Sequence, residues 1–181
     1  MALSAGDAAE IVGRLDASGV WYCLEGGWGV DALLEEQTRE HGDLDVGVRA
    51  DDAGRVCAVL SEFEANRDEW PVRLLLKDAR GRRVDCHPLT FDERGDGRQA
   101  GPDGESYRWP REHLGVRGRI GGRDVRCISA ELQLRWHEHE DFDDVDWHDV
   151  HALCDRFGLA PGRGQTDRPG FVAPKRLGRA P

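Results

Sequence analysis

Gly26-Gly27-Trp28-Gly29-Val30-Asp31, and after it Thr38-Arg39-Glu40-His41-Gly42-Asp43-Leu44-Asp45-Val46, decide how the rest of the chain is read. The glycine pair opens an apolar segment that reads as a helix. The second part reads as a strand from Asp43 to Val48, on which Asp43 and Asp45 share one face while Leu44, Val46 and Val48 share the other. The apolar set gives the strand a side to bury. Two carboxylates on the opposite side are harder to account for, because Asp is depleted in strands and like charges repel. A divalent cation between them removes the conflict.

Upstream, Ala8 to Leu15 has helical spacing with Ile11, Val12 and Leu15 on one side, and Gly19 ends it. Val20-Trp21-Tyr22-Cys23-Leu24 is a short buried-strand candidate that runs into Gly26-Gly27. A strand leading through glycines to a helix N-terminus collects free N–H groups and a positive dipole end, an arrangement that suits phosphate at Gly26 and Gly27.

Downstream, Asp51-Asp52 stands at a helix N-cap position, with Val56, Val59, Leu60 and Phe63 as the helix stripe. Val72–Leu76 and Arg83–Phe91 are predicted strands around the turn Asp78-Ala79-Arg80-Gly81, and Asp85 and His87 face away from Val84 and Cys86. Asp92 to Gly104 is predicted to be a mobile loop. Val116–Ile120 and Asp124–Ile128 flank the hairpin signal Gly121-Gly122. Ser129 is placed to cap a helix from Ala130 towards His137, a further helix covers Asp144 to Phe157, and Gly158 ends it. The Pro/Gly-rich stretch from 160 to 181 is expected to be poorly ordered.

The chain has 181 residues and a formal net charge of −10. That charge argues against a general nucleic-acid binder and suits a cation-binding protein or a positively charged substrate. No run approaches the roughly 20 apolar residues of a membrane helix, and the first residues lack the features of a signal peptide, so a cytoplasmic protein is expected. Cys23, Cys57, Cys86, Cys127 and Cys154 are scattered without a C-x-x-C pair, which fits reduced thiols.

Three carboxylates, Asp43 and Asp45 from one strand and Asp85 from another, meet a glycine turn that aims a helix end at the same region. Oxygen ligands of this kind suit magnesium, and two such ions can align an attacking hydroxyl with a phosphorus atom. His87 reads equally as a partner of these carboxylates or as a surface residue. Glu131 either favours its helix N-terminus or contacts substrate. A competing reading takes His137, His139, His148 and His151 as a metal cluster of a phosphohydrolase, although their spacing matches no zinc motif.

The ordered set G-G-W-x-x-D, T-R-x-H-x-D-L-D and D-x-H-P resembles the aminoglycoside and lincosamide nucleotidyltransferases of the polymerase-beta-like superfamily, over residues 10 to 160. The resemblance implies that Gly26 and Gly27 lie under a nucleoside triphosphate and that Asp43 and Asp45 hold metal. It makes Asp85 a further ligand or the base that deprotonates the acceptor. Where such proteins often carry a lysine, this chain has Val145, so either an arginine elsewhere, with Arg39 a candidate, supplies the positive charge or nucleotide binding is weaker than in the family.

The expected fold is α/β in the α+β sense: a small mixed, largely antiparallel sheet with packed helices over 1–128, a short helical part over 129–159, and the tail. The expected activity is magnesium-dependent transfer of a nucleoside monophosphate, AMP from ATP or its counterpart from another triphosphate, to a hydroxyl of a small molecule such as an aminoglycoside or lincosamide. No nucleic-acid or membrane partner is expected. The alternatives are the phosphohydrolase and a nucleotide-binding module without catalysis.

Overall fold

The computed structural model describes residues 2–138 and 142–162. His139 and most of the predicted tail lie outside the described residues. Helices α1 (Ala5–Ala17), α2 (Gly26–Leu34), α3 (Ala53–Val59), α4 (Ala130–Trp136) and α5 (Asp144–Phe157) accompany nine strands in one mixed sheet. The strands are β1 (Tyr22–Leu24), β2 (Leu44–Arg49), β3 (Phe63–Glu69), β4 (Arg73–Asp78), β5 (Arg83–Phe91), β6 (Gly97–Ala100), β7 (Ser106–Trp109), β8 (Val116–Ile120) and β9 (Arg123–Cys127). Their order is β3-β4-β5-β2-β1-β9-β8, with β6 and β7 forming an arm off the far end of β5. Pairing is antiparallel except between β2 and β5 and between β1 and β9, as the expectation of a mixed, largely antiparallel sheet required.

Strand alternation divides the molecule. Leu44, Val46 and Val48 of β2, Val84 and Cys86 of β5 and Tyr22 and Leu24 of β1 are buried on one face. There they meet Ile11, Val12 and Leu15 of α1, Trp28 and Val30 of α2, Val56 of α3 and Val150 and Leu153 of α5 in one apolar cluster. The other face carries a smaller cluster of Cys23, Leu89, Trp109, Ile128 and Leu132. Helix α4 serves both, through Ala130 and Leu134 on one side and Leu132 on the other. No described helix is long and apolar enough to cross a membrane.

Local signals acted as their chemistry dictates. The Ser129 hydroxyl accepts from the Leu132 N–H, Gly158 ends α5 in the left-handed region, and Gly121 and Gly122 turn the β8–β9 hairpin with φ of +56° and +83°.

Three expectations are corrected. The predicted stripe through Phe63 stops early, because α3 ends at Val59 and Phe63 begins edge strand β3. Asp52 occupies the N-cap position but binds Arg55 (2.7 Å) instead of backbone N–H groups. The predicted mobile loop contains β6: β5 outruns its partners, and its last residues, Leu89 to Phe91, pair with Gly97 to Gln99. Strand β3 was hidden because it exposes all its residues but Phe63, and β6 because Gly-Arg-Gln-Ala offers no alternating apolar pattern.

Candidate active site

The site is assembled where β1 turns into α2. The Glu25 N–H donates to the Asp45 carbonyl (3.2 Å), which ties the end of β1 to β2, and Gly26 then enters α2 with φ of +56°. Only glycine takes this backbone region at little cost. A side chain is also excluded by space, since a Cβ on Gly26 would overlap the Asp45 carboxylate. The first turn of α2 therefore rests directly on Asp45. Gly27 packs as closely on the His41 ring and the Arg39 guanidinium.

Parallel pairing of β2 and β5 sets Asp45 opposite Asp85 and Gly47 opposite His87. Residues opposite one another in neighbouring strands share a face, so the side chains of Asp45, Asp85 and His87 all emerge on the same side of the sheet. One ligand atom each from Asp45, Asp85 and His87 lies within 4.8 Å of the others, the one such group among the described residues.

The partners of these groups differ. Arg73 of β4 grips both oxygens of buried Asp85. His87 Nδ1 meets the Glu25 carboxylate at 2.5 Å, and its Nε2 lies 3.7 Å from Asp85 Oδ1. Burial works against a charge on this ring, but Glu25 and then Asp45 and Asp85 outweigh it and hold His87 up at about 9. The half-buried carboxylate of Asp45 has no hydrogen bond or ion pair among the described residues. Burial, followed by the neighbouring Asp43, pushes it up to about 7, with His87 pulling the other way.

A carboxylate without a partner, facing a second carboxylate across 4.8 Å or less, is a donor set suited to a hard divalent cation. Asp45 and Asp85 could hold magnesium. Asp43 stands one residue before β2 on the same face and is paired to Arg83 at 3.2 Å, so it borders this group without joining it.

The remaining predicted residues fall into place around this centre. Arg39 makes two bonds to Asp149 of α5, at 2.9 and 2.6 Å, and so is held against Gly27 at the head of α2. Glu131 is exposed in the first turn of α4, where the Ser129 hydroxyl keeps its carboxyl below the usual range. It is not among the converging groups.

Reading the residues also missed four participants. Glu25 and Arg73 complete the charge balance of His87 and Asp85. Asp31 is a buried clip that accepts from the Thr38 N–H (3.0 Å), the Thr38 hydroxyl (2.6 Å) and the His41 ring (2.5 Å), while Asp149 anchors Arg39. The spacing Asp31, Thr38, His41 was the visible signal of that clip.

The histidine segment has other work. His137 Nδ1 bonds the Gln133 carbonyl at 2.7 Å, and His151 stacks on Trp147 at 3.5 Å while its Nδ1 bonds the Trp147 carbonyl. Among the described residues these histidines form no metal-ligating group.

The sequence and the fold are similar to those of known proteins. The chain is 33% identical over 136 residues to a lincosamide resistance protein of Staphylococcus haemolyticus, covering 74% of this chain and 84% of that one. It is 26% identical over 144 residues to a 2''-aminoglycoside nucleotidyltransferase of Klebsiella pneumoniae, covering 78% of each. The lincomycin-bound crystal structure of the lincosamide antibiotic adenylyltransferase LnuA superposes with a TM-score of 0.76 at 29% identity, over 84% of this chain and 98% of that one. The family model described as aminoglycoside-2''-adenylyltransferase matches residues 8–153, well over half of the sequence, and the chain therefore belongs to that family of nucleotidyltransferases.

Proposed function

We propose that the protein transfers AMP from ATP to a hydroxyl of a lincosamide or aminoglycoside antibiotic, with release of pyrophosphate and a requirement for magnesium. The observation that carries this reading is Asp45, a half-buried carboxylate with no partner among the described residues, set opposite Asp85 beneath the first turn of α2. Asp45 and Asp85, with Asp43 at the rim, would hold two magnesium ions. Bound there, the ions supply neutralisation of the phosphate charge and alignment of the attacking and leaving oxygens.

The protein groups divide the rest of the work. Free N–H groups of Gly26 and Gly27 at the positive end of α2 bind the triphosphate, and Arg39, fixed by Asp149, adds positive charge beside them. The acceptor oxygen forms a bond to the α-phosphorus as the bond from that phosphorus to the bridging oxygen breaks, and the electron pair leaves with pyrophosphate. Asp85 takes the hydroxyl proton at Oδ1, the oxygen that faces His87 and also accepts from Arg73 Nε at 3.2 Å, while the Arg73 Nη2 holds Oδ2. Glu25 keeps the His87 ring oriented through Nδ1.

The reaction is tested by incubating the protein with magnesium, labelled ATP and a panel containing lincomycin and tobramycin, and following pyrophosphate release. Release with at least one acceptor, abolished by Asp45→Asn, is expected. Release with none would overturn the reading.

A further inference from the structure

Beyond Gly47, the catalytic face of the sheet continues as a run of aromatic side chains that the steps above do not use. Register places them. Gly97 pairs with Trp109 and Gln99 with Tyr107, while Leu89 of β5 pairs with Gln99, so Trp109 and Tyr107 share the face of Asp85 and His87. Trp109 is fully buried and packs on β2: a Cβ on Gly47 would come within 2.9 Å of its ring. The Trp136 ring of α4 follows at 5.8 Å, and Tyr107 stands edge-on to Trp136 at 6.0 Å. The run begins against the strand residue two places from Asp45 and ends at Tyr107, which is 38% exposed.

The opposite side of Asp45 has different chemistry. Arg39 lies against Gly27 and Arg83 against Asp43, so the cations suited to a polyanion gather at the head of α2 and the start of β2. In-line displacement puts the attacking and leaving oxygens on opposite sides of the phosphorus. With pyrophosphate on the cationic side, the acceptor must approach from the aromatic side.

We infer that Tyr107 and Trp136, backed by buried Trp109, form the acceptor-binding wall and select an acceptor with an apolar ring face and few cationic groups over a polycation. The inference rests on the proposed transfer for its direction of approach. Aromatic faces receive an apolar ring and can accommodate one ammonium group. A polycation would need a carboxylate for every ammonium it desolvates. The rings of the wall carry no formal charge, Glu105 beside the Tyr107 hydroxyl (3.3 Å) supplies one carboxylate, enough for a single ammonium, and Arg49, over Phe91 at 5.0 Å, adds a repelling charge on the same face. The net negative charge of the chain draws in cations from a distance but does not decide which acceptor fits the wall.

The test compares Tyr107→Ala and Tyr107→Phe with the unaltered chain. It uses lincomycin as the acceptor with one amine, tobramycin as the polyamine, and calorimetric lincomycin binding as a readout independent of turnover. Tyr107→Ala should raise both Kd and KM for lincomycin about three- to tenfold, the effect of losing one aromatic contact, with kcat and the KM for ATP unchanged. Tyr107→Phe should restore both values, and tobramycin should be the poorer acceptor. A rise in the KM for ATP would assign the wall to the base and overturn the inference. So would unchanged lincomycin binding, or tobramycin as the better acceptor. Lincomycin binding that depends on Tyr107 without any AMP transfer would refute the proposed reaction and uphold the wall.

Discussion

Replacing Gly26 by Ala probes the contact on which the site is built. With φ at +56°, an L-side chain costs about 1–2 kcal/mol in backbone strain. The new Cβ would also overlap the Asp45 carboxylate, a crowding that costs about a further 1–3 kcal/mol if nothing moves. The full penalty is then about 2–5 kcal/mol. If Asp45 swings away, the steric part is relieved, but the carboxylate no longer faces Asp85 and magnesium binding fails instead. Stability and metal binding cannot both survive.

Urea denaturation and calorimetric titration with magnesium read the two outcomes separately. Gly54→Ala is the internal control, because Gly54 lies in α3 with nothing within 4 Å of its Cβ position. It should stabilise by about 0.5–1 kcal/mol. A Gly26→Ala protein within about 0.5 kcal/mol of the parent and with unimpaired magnesium binding would refute the reasoning.

Other outcomes follow from the same geometry. Arg39→Ala leaves Asp149, which is 1% exposed, without its two charged bonds and should cost about 3–5 kcal/mol in urea denaturation, with Arg39→Lys recovering only part. Burial works against ionised Asp149, but Arg39 and His137 prevail and hold its carboxyl below the ordinary 3.8. Its contribution is therefore present above that value and is lost as pH falls through the lowered one, so Asp149→Asn should flatten the acid limb of the stability profile; parallel profiles would contradict this. His148→Ala should leave magnesium binding intact while Asp45→Asn removes it, and calorimetric titrations giving the reverse result would restore the histidine segment as the metal site.

The face of the candidate site could be read from residues because the apolar side chains of β2 and of the first half of β5 all lie on the other face. Leu44, Val46, Val84 and Cys86 had to point inward, which forced Asp45, Asp85 and His87 outward. Their partners were less visible. Arg73 stands 12 positions from Asp85 on an antiparallel neighbour, and nothing in its own vicinity separates it from other surface arginines. The Arg39–Asp149 pair spans 110 positions and depends on how α5 packs, a tertiary fact without a local sign. The β6–β7 arm was missed for a related reason. Its β6 residues offer no apolar alternation, and the two rings that pin it down, Tyr107 and Trp109, lie beyond the stretch that reads as loop.

The pairing of Asp45 with Asp85 also bears on how errors in folding are felt. Were β5 to slide by one position along β2, Asp85 would enter the apolar interior and Val84 would meet water, so the mispaired sheet could not close over its core. The hydrophobic demand that completes the fold thereby rejects every odd slip of the register, and a molecule able to pack at all has both acids on one face of its sheet.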